Sequence, residues 1–355
     1  MSNGHRHGPW IAPGLVDLQV NGGGGNDFSG PEVTIEGVEA VVRMLWQHGV
    51  TSFLPTVVTN PVERMSKSIR CLAVAAEGRG LESASIAGIH LEGPFISPHE
   101  GPRGAHVAEH VRPPDWSQFQ RWQDLAGGRI RLVTLSPEWP GACEFIERCT
   151  ASGVLVAIGH TAATTEQIRS AVAAGARLST HFGNGAHSIL PRHPNYLWDQ
   201  LANDELWASV IADGHHLPTP VLKVTLRAKP ERVVLVSDLA SMESLPPGDY
   251  HTATGRHIRM TEDGRLVLAD NPTLLAGATR QLLHGIVHLA ETGLTSLAGA
   301  WEMGSTRPAA LLEHPAAHGL RPGAPADVVT FRWRDNDIEL LSVHKRGEAV
   351  LGEGP

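Results

Sequence analysis

Short apolar runs rich in valine, isoleucine and leucine recur along the chain at intervals wide enough for a helix between them. Buried parallel strands carry that signature, because both faces are covered and the polar alternation of a half-exposed strand is lost. Eight such runs are visible, at residues 14–20, 50–58, 85–92, 130–136, 154–160, 177–182, 207–213 and 232–238. The segments between them carry the helical period instead. Val38, Val41, Val42 and Leu45 share one face before Gly49, and Met65, Ile69 and Leu72 do so in the next unit. Thr164 and Gln167 have the spacing of a capping box, which predicts a helix from there to Gly175. Eight strands alternating with helices predict a closed (β/α)8 barrel of the TIM type. An open doubly wound sheet is the alternative, but it advertises GxGxxG at its first helix, and the glycines at 22–25 lack that spacing.

Two stretches break the repeat. Residues 250–269, with a turn at Glu262-Asp263-Gly264, predict a β-hairpin inserted after the eighth strand. Residues 326–351 predict the further short strands DVVTF, IELLSV and EAVL. The expected division is a barrel over residues 13–325, insert included, and a small β-domain made of residues 326–355 plus the extreme N-terminus.

Composition narrows the classes of function. Lys and Arg number 29 against 37 Asp and Glu, for a net charge of -8, and no basic run could follow a phosphate backbone, so nucleic acid is not expected as a partner. The opening MSNGHRHGPWIAPG has no apolar core, and no stretch approaches the roughly 18 apolar residues of a membrane span, so a soluble cytoplasmic protein is expected. Cys71, Cys143 and Cys149 form no CxxC pair and fall in helical segments, which predicts reduced thiols. Histidine is abundant, with 20 copies, and position decides which of them matter.

In barrels of this kind the working residues sit at the carboxyl ends of strands. The third strand ends IHLEGPF and offers Glu92, the fifth ends AIGHT and offers His160, the sixth ends STHFGNG and offers His181, and the eighth ends LVSD and offers Asp238. One carboxylate and two imidazoles are the donor set of an open catalytic zinc site, with a further position left for water. Such a site suits hydrolysis of an inert amide, and Asp238 at the same mouth is suited to proton transfer. Asp213, His215 and His216 follow the seventh strand, Asn184, Gly185 and Arg192 follow the sixth, and His106 lies downstream of Glu92. Arg192 is the candidate anion site, because a guanidinium fork matches phosphate geometry.

The segments HLEGPF, GAH, GHTAAT, THFGNGA, IADGHH and VSD, in this order, resemble the N-acetylglucosamine-6-phosphate deacetylase family of the amidohydrolase superfamily. The interval of 21 from His160 to His181 and that of 22 from His216 to Asp238 fit the pattern, and the resemblance extends from PGLVDLQVNG to GAPADVVTF. It implies a metal held by Glu92, His160 and His181, with Asp238 as acid and base and His106 polarising the acetamide carbonyl. It further implies that Ala105, Asn184, Gly185, Arg192, His216 and the run Leu275, Ala276 and Gly277 hold the sugar phosphate. Many amidohydrolases carry HxH after the first strand; Gln19 and Asn21 stand there in this chain, which implies one divalent ion, Zn2+ or alternatively Fe2+. A homodimer acting on a small amino sugar phosphate is implied as well. Family members begin with a longer stretch of β-structure, so the small β-domain is expected to be truncated on its N-terminal side. The segment LASMESLPPG and the triplet Asn184-Gly185-Ala186 depart from the family pattern. Two other readings therefore stand beside the deacetylase: an amidohydrolase of another N-acetylated sugar or an N-acyl amino acid, and a catalytically silent sugar-phosphate-binding or assembly subunit.

Overall fold

The eight apolar runs become strands β1 (Leu15–Val20), β2 (Val50–Val58), β3 (Ile89–Glu92), β4 (Ile130–Leu135), β5 (Leu155–Ile158), β6 (Leu178–Ser179), β7 (Trp207–Val210) and β8 (Val233–Leu235) in a computed structural model that describes residues 8–252 and 255–352. They pair in parallel and in chain order from β1 to β8. The two ends of the sheet meet just beyond the strands, where Asp238 N donates to Gln19 O at 3.0 Å and Asn21 N donates to Leu239 O at 2.8 Å. The barrel is thus stitched shut at its carboxyl end, beside the residues that the strand-end argument singled out.

Burial on both faces explains the continuous apolar runs. Val16, Leu18, Leu54, Leu132, Ala157, Leu178 and Ile211 fill the interior. Leu15, Val20, Phe53, Leu91 and Val133 point outward against helical residues such as Val38, Leu45, Met65 and Ile69. A plugged interior leaves open space only at the mouth. The helices form where the period predicts: Ile35–Trp46, capped by Thr34, buries Val38, Val41, Val42 and Leu45, and Val62–Glu77 buries Met65, Ile69 and Leu72. Both bonds of the capping box are present at helix Thr165–Ala173, with Gln167 N donating to Thr164 Oγ1 at 3.3 Å and Thr164 N to Gln167 Oε1 at 2.8 Å.

The insert after β8 differs from the expected hairpin. It is a three-stranded antiparallel sheet, β9 (Gly248–His251), β10 (His257–Met260) and β11 (Leu266–Leu268). The additional strand escapes a hydrophobic reading because β9, with the sequence GDYH, brings a single partly buried ring, Tyr250, to the insert's core and otherwise rests on pairing to β10. Residues 253–254, within the predicted hairpin, lie outside the described residues. On β10 exposed and buried positions alternate; Ile258 and Met260 pack with Leu266, Leu268 and Ala240.

The C-terminal runs form β12 (Val328–Arg334), β13 (Asp337–Lys345) and β14 (Glu348–Leu351), and a leading strand, Trp10–Pro13, adds to β12 from Trp10↔Phe331 to Pro13↔Val328. Phe331 stacks between Trp10 and Trp301, with ring centroids at 6.4 and 4.6 Å, which fastens this sheet to the barrel's last helices. The buried Lys345–Asp327 pair at 2.7 Å, with Lys345 also donating to Ser52 Oγ on β2 at 3.2 Å, is a second tie. The extreme N-terminus before Gly8 lies outside the described residues. All three cysteines are free thiols, and among the described residues no helix is long and apolar enough to cross a membrane.

Candidate active site

Glu92 is the last residue of β3, while His160, His181 and Asp238 follow β5, β6 and β8 by two or three residues. All four are between 3% and 8% exposed. The backbone turns sharply at the latter three: φ is 49° at His160, 28° at His181 and 52° at Asp238. This left-handed region costs a side-chain-bearing residue about 1–2 kcal/mol, a strain that surrounding structure sustains at functional sites. Two glycines permit the crowding. A Cβ on Gly159 would stand 2.7 Å from Thr180 and 2.8 Å from Thr134, and one on Gly185 would stand 2.7 Å from His160 Nδ1.

The three side chains converge on one point. His160 Nε2 and His181 Nε2 lie 3.1 and 2.9 Å from Glu92 Oε1 and 3.0 Å from each other. His160 Nδ1 faces the Pro102 carbonyl at 2.8 Å, so the proton belongs on Nδ1 and the Nε2 lone pair looks into the cluster. Two imidazole nitrogens and a carboxylate oxygen crowded in this way could hold a divalent cation. Bonds of about 2.0–2.1 Å in a tetrahedral site separate the ligand atoms by roughly 3.3 Å, close to the spacing present. Burial pushes the Glu92 carboxyl up, but the bonds to His160 and His181 outweigh it and hold it well below the usual range. A ring nitrogen of His106 lies within 4.8 Å of the Glu92 and His160 donor atoms. Its Nδ1 is engaged by Thr59 Oγ1 at 2.9 Å, and burial pushes it down to about 3, so the ring is neutral.

Asp238 faces this cluster across two amides from β1 and the turn after it. Gln19 Nε2 donates to Glu92 Oε1 at 2.9 Å and to Asp238 Oδ1 at 3.0 Å, and Asn21 Nδ2 donates to Asp238 Oδ1 at 2.8 Å. Gln19 points inward because the register of β1 against β2 is irregular between Asp17 and Val20. Val16 and Leu18 face the interior, yet Val20 packs outside, so the parity has changed by one. Burial, and after it the charge of Glu92, pushes Asp238 up to about 6. That value suits a group that must both take and return a proton near neutrality.

The cluster opens into a cavity of about 540 Å³. Ala105, His106, Asn184, Gly185, His216, Leu275, Ala276 and Gly277 all line it. Asp213 is different: its carboxylate, held well below the usual range despite burial by bonds from His216, serves as the clasp of the loop. His216 Nδ1 stands 2.7 Å from Asp213 Oδ2, which leaves Nε2 to the cavity. Arg192 is not brought in; it is exposed and does not line the cavity of its own chain.

Several polar residues around the site were passed over by the strand-end argument. Asp17, fully buried and pushed up by burial to about 7, accepts from Ser237 N with both oxygens, at 3.2 and 3.3 Å, and so clips β1 to the turn carrying Asp238. His90, within HLEGPF, bonds Thr134 Oγ1 at 2.8 Å beneath the cluster. The signal for both was a charged or titratable residue inside an otherwise apolar strand. Arg256 and Arg265 of the insert also line the cavity.

The chain matches the amidohydrolase family over residues 10–350. It is 34% identical over 349 residues to an N-acetylglucosamine-6-phosphate deacetylase of Bos taurus, covering 96% of this chain and 83% of that one. It is 31% identical over 344 residues to an N-acetylgalactosamine-6-phosphate deacetylase of Shewanella sp. (strain ANA-3), with 96% and 83% covered. Among solved structures, an N-acetyl-D-glucosamine-6-phosphate deacetylase variant from Mycobacterium smegmatis, in complex with N-acetyl-D-glucosamine-6-phosphate, superposes with a TM-score of 0.86 at 31% identity, covering 96% of this chain and 87% of that one. The barrel, the strand-end cluster and these relatives agree, and the chain belongs to the amidohydrolase family and within it to the N-acetylglucosamine-6-phosphate deacetylase family.

Proposed function

We propose that this protein hydrolyses the acetamide of an N-acetylhexosamine 6-phosphate, releasing acetate and the amino sugar 6-phosphate. The observation that carries the reading is a buried carboxyl raised toward neutrality, Asp238, set against the Glu92–His160–His181 cradle at the floor of a sugar-sized cavity. In this reading the cradle holds one divalent ion, zinc. The amides of Gln19 and Asn21 support a single ion, since both are turned to donate to the carboxylates. When bound, such an ion supplies Lewis acidity toward the carbonyl and lowers the pKa of nearby water to about 7.

The chain's own residues do the rest. Asp238 takes a proton from the attacking water as its oxygen bonds to the acetyl carbon, and returns a proton to the sugar nitrogen as the carbon–nitrogen bond breaks. His106 Nδ1 is paired with Thr59 Oγ1; in the tautomer in which that nitrogen accepts, the proton sits on Nε2 and is donated to the acetamide oxygen, where negative charge develops. Ala105, Asn184, Gly185, His216 and Leu275–Gly277 wall the sugar. The protein is further proposed to work as a homodimer in the cytoplasm, as the resemblance implies.

Metal-replete protein supplied with N-acetylglucosamine 6-phosphate or its galactosamine epimer is expected to release acetate, and Asp238→Asn to lose about 10²- to 10⁴-fold in kcat. Acetate release from neither epimer above the rate of that variant overturns the reading.

A further inference from the structure

We infer that Glu138 is a positioning residue for the cradle, fixing His160 through a clasp of three loops, an inference that rests on the single-ion reading above. Strands β3, β5, β6 and β8 each send a side chain to the mouth, whereas β4 runs on into Ser136-Pro137-Glu138, and Glu138 is not among the residues lining the cavity. Its side chain is nevertheless only 13% exposed and well engaged. Oε1 accepts from Ser97 Oγ at 2.9 Å, and Oε2 accepts from Ser136 Oγ and from Ala162 N, both at 2.7 Å. His99 is a poor partner for the charge, 3.8 Å away on a mostly exposed ring, so these three donors carry it.

The donors come from the turns after β3, β4 and β5, and all of them lead to His160. Ser136 spends its proton on Glu138, so it is the acceptor at its 2.7 Å contact with Thr161 Oγ1. Thr161 and Ala162, the two residues that follow His160, are thereby tied to one carboxylate. From the other side Ser97 N donates to His160 O at 2.8 Å, and the same loop supplies the Pro102 carbonyl that faces His160 Nδ1. Trp139 Nε1, donating to Ile96 O at 2.8 Å, braces the turn of Glu138 against that loop. His160 needs such a hold, since its φ of 49° is a strained conformation that persists only where its surroundings impose it. An amide at position 138 has one acceptor oxygen, and its nitrogen would turn a donor toward donors, so at least one end of the clasp would open.

The test loads wild type and variants with Zn2+, equilibrates them against graded chelator and reads the ion retained per chain, alongside kcat, KM and the thermal midpoint. Glu138→Gln is expected to weaken ion retention by about 10-fold and kcat by about 10- to 100-fold, with KM within about threefold, the scale of a group that orients a ligand without touching the ion. Ser97→Ala leaves Glu138 its two other donors and should move ion retention and kcat in the same direction by about threefold, which decides the question if Glu138→Gln does not fold. Val343→Ala, a truncation in the buried core of the C-terminal sheet, should lower the thermal midpoint and keep ion retention and kcat within about twofold, so that lost stability alone does not give the signature. If Glu138→Gln and Ser97→Ala retain the ion as wild type does, or lose no more than Val343→Ala, the role of Glu138 is overturned and the proposed function stands. If wild type retains the ion but releases no acetate, the proposed function is overturned and ion retention still decides on Glu138. A wild type that retains no divalent ion overturns both.

Discussion

On one side the cavity is walled by strand ends, on the other by the inserted sheet, and the two are built by opposite rules. The strand-end residues Glu92, His160, His181 and Asp238 are almost wholly buried, and three of them sit in left-handed backbone. Their neighbours hold them from several directions, as Gln19, Asn21 and Asp17 do around the closing seam. On β10, by contrast, burial alternates residue by residue, and a small cluster around Ile258 packs it against Ala240. A rigid, strained wall suits groups whose separations must hold to a few tenths of an ångström. An amphipathic sheet can change the residue it presents without disturbing that geometry. Under the proposed function the chemistry lies with the barrel wall, and the insert contributes lining to the cavity.

The largest effect is expected from Glu92→Gln, which removes the charged oxygen on which both histidines converge. Divalent ion retained per chain, read by elemental analysis, should fall well below that of wild type, and acetate release should drop by about 10³-fold or more. Full retention of the ion would break the assignment of Glu92 to the cradle.

Asp17→Asn probes whether the seam positions Asp238. Asparagine leaves one acceptor oxygen where two now face Ser237 N, so kcat should fall by about tenfold with little change in KM. The same variant has a pH signature. Asp17 is raised from 3.8 to about 7, so the folded protein holds a proton that the unfolded chain has released between those values. Its contribution to stability is present at the acid end of that window and is lost as pH rises toward 7. The stability of wild type minus that of the variant, from chemical denaturation of metal-free protein, should therefore decline across the window. A difference that grows with pH would contradict the buried-acid description.

Ile258→Ala should give the smallest effect. By loosening the insert it should raise KM about 3- to 10-fold, the equivalent of roughly 1 kcal/mol of lost preorganisation, with kcat and ion content within about twofold. A loss of ion content comparable to that of Glu92→Gln would erase the distinction between the walls.

Much of the barrel wall was legible from sequence because its signals are local. A strand buried on both faces leaves an apolar run, and the residue ending each run is the one delivered to the mouth; this is how Glu92, His160, His181 and Asp238 could be found together. The insert was only half legible. β10 and β11 carry apolar residues, but β9 owes its existence mainly to pairing with β10. The expectation for Arg192 followed from its chemistry and its nearness in sequence to Asn184, and the path of that loop leaves it exposed.

By itself, then, the sequence determined the alternation of strands and helices, the four strand-end groups and the family. These follow from periodicity and from residue type at positions that the period defines. Only the tertiary structure decided which groups meet. A change of parity in β1 aims Gln19 at Asp238, and Asp17 grips the backbone of Ser237 from a position 220 residues earlier. A sheet with little core of its own brings Arg256 to the cavity. Each depends on barrel closure or on a loop's route through space, which no local pattern along the chain encodes.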